Sequence, residues 1–234
     1  MFTLVLAQGS EGNEAENASN PLAAVSNIDL RAKYYDLDDS HIKDYNLEGA
    51  MMLNPKLKLK YELHYWDTDI SGTDEKHLES TLVKLIYFPK DGKLQNIPYR
   101  LAVGTEIKFD LGDEEKGIGD GSDLASLFVG ITLGLTPDLT MVPLIQHYES
   151  FNGNDVSMTS ARLIAIQKLP ARSWIKFDLK TTFDWENSTI PASFELQLGK
   201  SFTRSIGLYA ELEAGLGGDK QYDKAVGVGL RYTY

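Results

Sequence analysis

The chain has 234 residues and a formal net charge of -11, with 34 acidic and 23 basic side chains. Nucleic acid is excluded as a partner, because no basic stripe is available to neutralise phosphates. The absence of cysteine excludes structural disulfides and thiolate metal sites. No stretch approaches the roughly 20 apolar residues of a membrane-spanning helix. A transmembrane barrel would also lack such a stretch, because only alternate residues of its strands meet lipid.

The N-terminal part differs in composition from the rest of the chain. Residues 1–7 (MFTLVLA) place Val5 and Ala7 at the small-residue positions before a cleavage site, and they are predicted to be a signal-peptide remnant. Residues 8–24 begin with a polar stretch of few apolar residues and are predicted to form a flexible leader. Residues 25–234 are predicted to form one β-barrel.

From Ile28 onward, apolar and polar residues alternate over segments of about nine residues, a period typical of strands. In the segment 57–65 (LKLKYELHY) the apolar and aromatic residues occupy the odd positions. A helix would mix Lys60 with Leu57 and Leu63 on one face, whereas a strand separates the two sets. The pattern predicts about twelve strands, at 26–36, 44–53, 57–66, 78–88, 98–110, 124–135, 139–149, 156–168, 174–184, 192–202, 206–216 and 224–234.

The predicted connections alternate in length. One set is short and rich in turn residues, as at 136–138, with a longer member at Pro89–Ile97. The other set is generally longer and acidic, as at Leu111–Asp123. Outer-membrane barrels are built in this way, with the short turns in the periplasm, and an even strand number then places both termini there. Pro143 interrupts the alternation and predicts a bulge or a local break in strand pairing.

A soluble sandwich also alternates, but two features favour the inverted arrangement with the apolar face outward. Aromatic residues cluster near the predicted strand ends, as Tyr65 and Trp66 do, where interfacial girdles require them. The last strand ends on Tyr234, preceded by Tyr232 and Leu230. This ending resembles the C-terminal signature that outer-membrane proteins present to the barrel-assembly machinery.

Three segments, Asn20–Leu30, Asn54–Trp66 and Ile190–Lys200, are similar to a widespread, poorly characterised group of proteobacterial barrel proteins of about twelve strands. The resemblance is architectural and covers the chain from about Asn20 to Tyr234. It implies an all-β, transmembrane, up-and-down antiparallel barrel in the outer membrane of a Gram-negative bacterium. We expect a monomer that contacts outer-membrane lipid and lipopolysaccharide and is inserted by the barrel-assembly machinery.

The predicted inner face carries both signs of charge in nearly equal number. This pattern favours a narrow, weakly selective, porin-like channel for small solutes or ions. The alternative is a closed structural or adhesive barrel whose lumen is filled by interlocked ion pairs. The predicted pore-lining residues are Lys58, Lys60, Glu62, His64, Arg100, Glu106, Lys108, Lys176, Asp178, Lys180, Glu195, Glu211, Glu213 and Arg231.

A lipid-modifying enzyme is the second alternative, because one known type of outer-membrane barrel is a phospholipase with a Ser–His pair on its lipid face. Here His147 and Ser150 are three apart and should face opposite ways, as should His77 and Ser80. Glu149 is two residues from His147 and should share its face. No catalytic residue, cofactor or metal ligand is predicted. The acidic loop Asp110–Asp123 fits solvation better than specific calcium binding.

Overall fold

The computed structural model of the protein describes residues 17–234, so the predicted signal remnant 1–7 and leader residues 8–16 lie outside the described part. The predicted all-β class is confirmed, with a single 3-10 turn at Glu114–Lys116 in the described chain. The strands are β1 Asn27–Asp36, β2 His41–Asn54, β3 Leu57–Thr68, β4 Glu75–Leu94, β5 Ile97–Asp110, β6 Ser122–Gly134, β7 Leu139–Gly153, β8 Ser157–Leu169, β9 Ser173–Asp184, β10 Ala192–Ser201, β11 Ile206–Leu216 and β12 Lys224–Thr233.

The twelve strands form one closed antiparallel barrel in which each strand pairs with its neighbours in sequence. The last strand closes the cylinder against the first, with Asn27 opposite Thr233 and Asp36 opposite Lys224. The described residues include no helix long and apolar enough to span a membrane. Closure leaves no strand edge unpaired, so the backbone donors and acceptors of the sheet are used within the barrel.

Alternate residues of each strand face outward and are predominantly apolar. On β11 and β12, Leu212 and Val228 are 57% and 61% exposed on the outer surface. Glu211, which precedes Leu212 on β11 and pairs with Gly227 on β12, faces the interior and is 1% exposed. The apolar set therefore covers the outside of the barrel and the polar set fills its lumen, which is the inverse of a soluble sandwich.

The two ends of the barrel differ in their connections. At one end, here called the turn end, strands are joined by short turns such as residues 55–56 and 95–96. At the opposite end, here called the loop end, the connections include the eleven-residue segment 111–121. The first residue of β1 and the last of β12 both lie at the turn end.

The predicted nine-residue connection Pro89–Ile97 is wrong. Strand β4 continues to Leu94, and the register between β4 and β5 shifts between Tyr87 and Lys90. A bulge accommodates Pro89, which has no backbone N–H to donate to the ladder. The predicted disturbance at Pro143 is confirmed as a local break, because the β6–β7 pairing skips the residues opposite Val142 and Pro143 without a change of register.

The prediction of a flexible leader is wrong for residues 17–24. This segment enters the barrel at the turn end, where Leu22 is 1% exposed and Ala23 is fully buried. Its chain turns back on itself through a hydrogen bond from the Ala23 N–H to the Asn20 carbonyl. We call residues 17–24 the luminal segment. Its few apolar side chains are enough to hold it because the barrel wall beside it is itself apolar.

Candidate functional site

The lumen is the candidate site, since the register directs every predicted pore-lining residue to the inner wall. On β3 the inward set alternates with outward leucines and tyrosines. The same alternation holds on β5, β9, β10, β11 and β12. That these residues line a solute path stays a prediction.

A first group of charges joins β1, β2 and β3 at mid-height. The Arg31 guanidinium lies 3.2 Å from Glu48, and Lys60 Nζ lies 2.8 Å from the same carboxylate. Lys60 also contacts Glu62 at 3.2 Å. Each charge is therefore neutralised by a neighbour, which is how ionic side chains can be packed in a narrow interior.

A second group lies on β9, β10 and β11, where Glu195, Glu211 and Glu213 bring carboxylate oxygens within 4.8 Å of one another. Such a set has the geometry to hold a metal ion. The cation among them in this structure is the ammonium of Lys33, which is 3.2 Å from Glu211 and also contacts Glu213. Lys176 bonds Glu195 from the other side at 2.5 Å. The ammonium groups of Lys33 and Lys176 therefore occupy the positions that a metal ion would need beside these carboxylates.

Two charged residues of the lumen, Arg162 and Glu79, have an inward direction that the sequence alternation does not reveal. Arg162 on β8 donates from Nε to Asp178 Oδ1 at 2.8 Å. Its strand alternates weakly, so its orientation could not be read from the pattern. Glu79 is directed inward by a bulge in β4 opposite His64 and contacts Lys108 at 3.1 Å. A bulge reverses the facing of the residue it adds, and simple alternation does not reveal it.

Toward the turn end, one buried ion pair fixes the luminal segment. Arg231 donates to Asp29 from Nε at 2.9 Å and from Nη2 at 2.6 Å, and the Tyr209 hydroxyl donates to the same carboxylate at 3.0 Å. Arg231 Nη1 also donates to Ser19 Oγ at 2.8 Å. A Cβ at Gly229 would lie 2.1 Å from the Tyr209 ring, so a glycine is required there. The small inward residue at this position of β12 therefore makes room for a larger lumen side chain.

On the turn-end side of this ion pair, the inner wall of the lumen is mainly apolar. Lys58, predicted to line a pore, is 2% exposed there, and its Nζ donates to the carbonyl of Ala23 in the luminal segment at 2.8 Å. The segment and the inner wall of β4–β8 share one buried cluster inside the barrel. The cluster consists of Leu22, Ile86, Phe88, Ala102, Phe128, Val142, Leu144, Ile164 and Ile166.

Between the apolar cluster and the loop end lies a cavity of about 190 Å³. Its wall includes Arg31, Lys60, Arg162 and Glu195, with Pro21 of the luminal segment at its floor. A polar space of this size holds several water molecules. The lumen thus contains a polar, charge-lined chamber on the loop side of the apolar cluster.

A separate polar cluster lies on the outer surface near the loop end. His147 contacts Glu149 Oε1 through Nε2 and Thr159 Oγ1 through Nδ1, both at 2.9 Å. The indole N–H of Trp185 donates to the same threonine oxygen at 3.0 Å. The predicted shared face of His147 and Glu149 is therefore confirmed, and the threonine is supplied by the neighbouring strand.

His147 and Ser150 face opposite ways, as predicted, but the prediction that His77 and Ser80 also do so is wrong. The bulge at Glu79 changes the facing along β4, so His77, opposite Trp66, lies on the same inward-facing side as Ser80, which is 3% exposed. Ser150 is partly buried, and its Oγ accepts the N–H of Val156. Neither serine approaches its histidine. In the acidic loop, Asp110 accepts the backbone N–H groups of Gly112, Asp120 and Gly121, so this carboxylate orders the loop.

The sequence matches no protein-family model, and the search of curated proteins gives no match. The fold is similar to solved bacterial outer-membrane barrels. The NanC porin aligns with a TM-score of 0.68 at 11% identity over 88% of this chain and 100% of its own. The COG4313 outer membrane channel from Pseudomonas putida F1 gives 0.68 at 12% identity over 97% and 100%. Outer membrane phospholipase A from Escherichia coli gives 0.52 at 14% identity over 89% and 92%. The chain therefore has the fold of the outer-membrane β-barrels.

Proposed function

We propose that the chain is an outer-membrane channel that passes small solutes or ions through its lumen with weak selectivity. The apolar outer surface supports a lipid environment, and the likeness to a porin and an outer membrane channel supports this class of function. In this proposal the turn end faces the periplasm, with both termini there. The barrel is a monomer in contact with lipid and lipopolysaccharide, assembled through the C-terminal strand that ends at Tyr234.

The polar, charge-lined chamber, which is large enough to hold water, is the observation that carries the proposal. A barrel that served only as a scaffold would gain nothing from a polar space of about 190 Å³ between paired charges. Opposite charges alternate around this space, as in the contacts of Lys60 with Glu48 and Glu62. A solute would therefore meet both signs at the same depth, which gives little preference for either.

The luminal segment is the closing element in this proposal. It is held by a small apolar cluster and a few hydrogen bonds, among them Ser19 Oγ to Gln197 Oε1 at 2.6 Å. Displacing residues 17–24 would connect the chamber to the turn end. The predicted conductance is consequently small and intermittent, with open periods whenever the segment leaves its site.

The test is single-channel recording of the purified full chain in planar lipid bilayers. Discrete small steps are expected, and charge reversals in the lumen, Lys60→Glu and Glu211→Lys, should shift the ion preference in opposite directions. Lys224→Glu at the exposed rim is the matched control and should change the preference little, because bulk solvent screens it. Absence of steps from the native chain and from a variant lacking residues 17–24 would refute the channel.

A second candidate function is hydrolysis of lipid esters on the outer surface. One specific observation favours it: the hydrogen-bonded series Glu149–His147–Thr159 has the order carboxylate, imidazole, hydroxyl of an acyl-transfer site. The likeness to outer membrane phospholipase A supports the same class. Ester hydrolysis in detergent that is lost in both Thr159→Ala and His147→Ala, and retained in His77→Ala, would establish it. Equal hydrolysis in all of these variants would exclude this site.

A further inference from the structure

Nearly every cation on the inner wall is bound by a carboxylate or a backbone carbonyl. Lys84 contacts Glu106, Lys108 contacts Glu79 at 3.1 Å, and Lys176 contacts Glu195 at 2.5 Å. At the turn end, Arg231 is bound by Asp29 and Lys58 by the carbonyl of Ala23. Such pairing reduces the affinity of these groups for a passing anion, because a ligand would have to compete with an internal partner.

Lys180 is the exception among the inner-wall cations that the structure describes. It follows the inward residues Lys176 and Asp178 on β9, and its cross-strand partners are Arg162 on β8 and Ser193 on β10. Its side chain is exposed to the lumen, and it forms no ion pair with any described residue. The nearest carboxylate on its own strand, Asp178, is already bound by Arg162 and Lys176.

The wall around Lys180 carries hydrogen-bonding groups but few carboxylates. On the loop side of Lys180, Thr182 and Ser160 form an inward cross-strand pair between β9 and β8. On β7, Gln146 lies beside Ser160 in register and donates from Nε2 to Ser126 Oγ at 2.7 Å. Asp184, at the end of β9, is used to accept the N–H groups of Glu186 and Asn187. Hydroxyl groups of Ser160 and Thr182 therefore lie on the wall beside Lys180, while the carboxylates of Asp178 and Glu106 are held by other cations.

Arg162 connects this wall to the chamber. Its guanidinium side chain is 33% exposed and lines the cavity of about 190 Å³, while its cross-strand neighbour Lys180 lies on the loop side of that cavity. Two cations thus lie side by side on neighbouring strands beside the chamber, and Lys180 forms no ion pair with any described residue. The size of the cavity admits a small molecule and excludes an oligomer.

We propose that Lys180, with Arg162 beside it, is the entry subsite for a small organic carboxylate that carries hydroxyl groups. The carboxylate replaces the ion-pair partner that Lys180 lacks, and the hydroxyl groups bond to Ser160 and Thr182. This inference rests on the proposed channel function and adds the class of solute. It predicts a local preference for anions at the loop end of a lumen that is otherwise balanced in charge.

The experiment uses gluconate as the probe, with sorbitol as the neutral polyol of matching shape. Isothermal titration of the purified protein in detergent gives the affinity, and block of single-channel current gives the same quantity in a bilayer. Lys180→Gln should weaken gluconate binding about tenfold, the effect of one charge-assisted hydrogen bond. Lys180→Arg should restore most of the affinity. Lys224→Gln, which removes the same charge at the exposed rim, should change it less than about twofold.

The outcomes separate this inference from the channel itself. Conduction with gluconate binding that is equal in the native chain and Lys180→Gln overturns the subsite and leaves the channel standing. Binding that is lost in Lys180→Gln without any conduction supports the subsite and refutes the channel. Equal binding of chloride and gluconate, or binding of sorbitol, overturns the assignment of a hydroxylated carboxylate. Resistance of each variant to unfolding on unheated gels verifies that its barrel is intact.

Discussion

The two halves of the lumen are built on opposite principles. The turn half is packed mainly like the core of a soluble protein, with Leu22 of the luminal segment set among Val142, Ile164 and other apolar side chains beside one buried ion pair. The loop half holds paired charges around a polar cavity. Apolar packing excludes water and stabilises closure, whereas ion pairs leave room for water and for exchange of partners. The comparison suggests that the turn half controls whether the barrel is open and the loop half controls what enters it.

The outer surface is continuous across this boundary, which shows that the division belongs to the interior alone. Outward residues remain apolar in both halves, as at Leu208 near the turn end and Leu212 farther along β11. One face of a strand can therefore contact lipid along its whole length while the other face changes from apolar to charged. This separation follows from the two-residue period of a strand, which lets each face be chosen independently.

The largest expected effect comes from placing a charge in the turn half. Leu22→Asp buries a carboxylate in the apolar cluster, which costs several kcal/mol unless the segment leaves the barrel. We expect a large rise in the time that the channel is open, measured by single-channel recording. Leu22→Met keeps the apolar volume and should behave like the native chain. Unchanged open time in Leu22→Asp would show that the segment does not close the lumen.

The next effect compares a buried ion pair with an exposed one. Asp29→Asn leaves Arg231 buried without its partner and should lower the free energy of unfolding by about 3–5 kcal/mol. Asp36→Asn removes the partner of the exposed Lys224 and should cost less than about 1 kcal/mol. Urea unfolding in micelles, followed by gel mobility, measures both. Equal losses would contradict the view that the interior pairs are structural elements.

The smallest effect concerns the rim of the loop half. The backbone N–H of His41 donates to Asp69 at 2.7 Å, and this bond, with the nearby imidazole, lowers the pKa of Asp69 below the usual value of about 3.9. Because the pKa of Asp69 is lowered, the contact stabilises the folded rim fully at pH values above the usual pKa of a free carboxyl group. This stabilisation is lost as the pH falls through the lowered pKa of Asp69. Amide hydrogen exchange at His41, corrected for its intrinsic pH dependence, should show less protection near pH 2 than near pH 6. Protection that is independent of pH would contradict it.

Alternation in the sequence was sufficient to predict the number of strands, their antiparallel order and the inward direction of charges such as Lys176 and Glu211. It was insufficient where the inner face is itself apolar. Val142 and Ile164 look like ordinary strand residues until a partner is found for them, and that partner, Leu22, lies in a segment of polar composition. Bulges also hid the inward direction of Glu79, because they shift the facing of a residue without altering the local composition.

A reversible tether between the luminal segment and the barrel wall tests the central claim most directly. The native chain has no cysteine, so Ser19→Cys with Gln197→Cys places two thiols where the side chains now form a hydrogen bond, and a short thiol-reactive cross-linker that contains a disulfide can join them. Conductance should be absent while the disulfide is intact and should appear when a reductant is added to the same bilayer. The single variants Ser19→Cys and Gln197→Cys should conduct regardless of reductant. Equal conductance of the double variant before and after reduction would contradict the account.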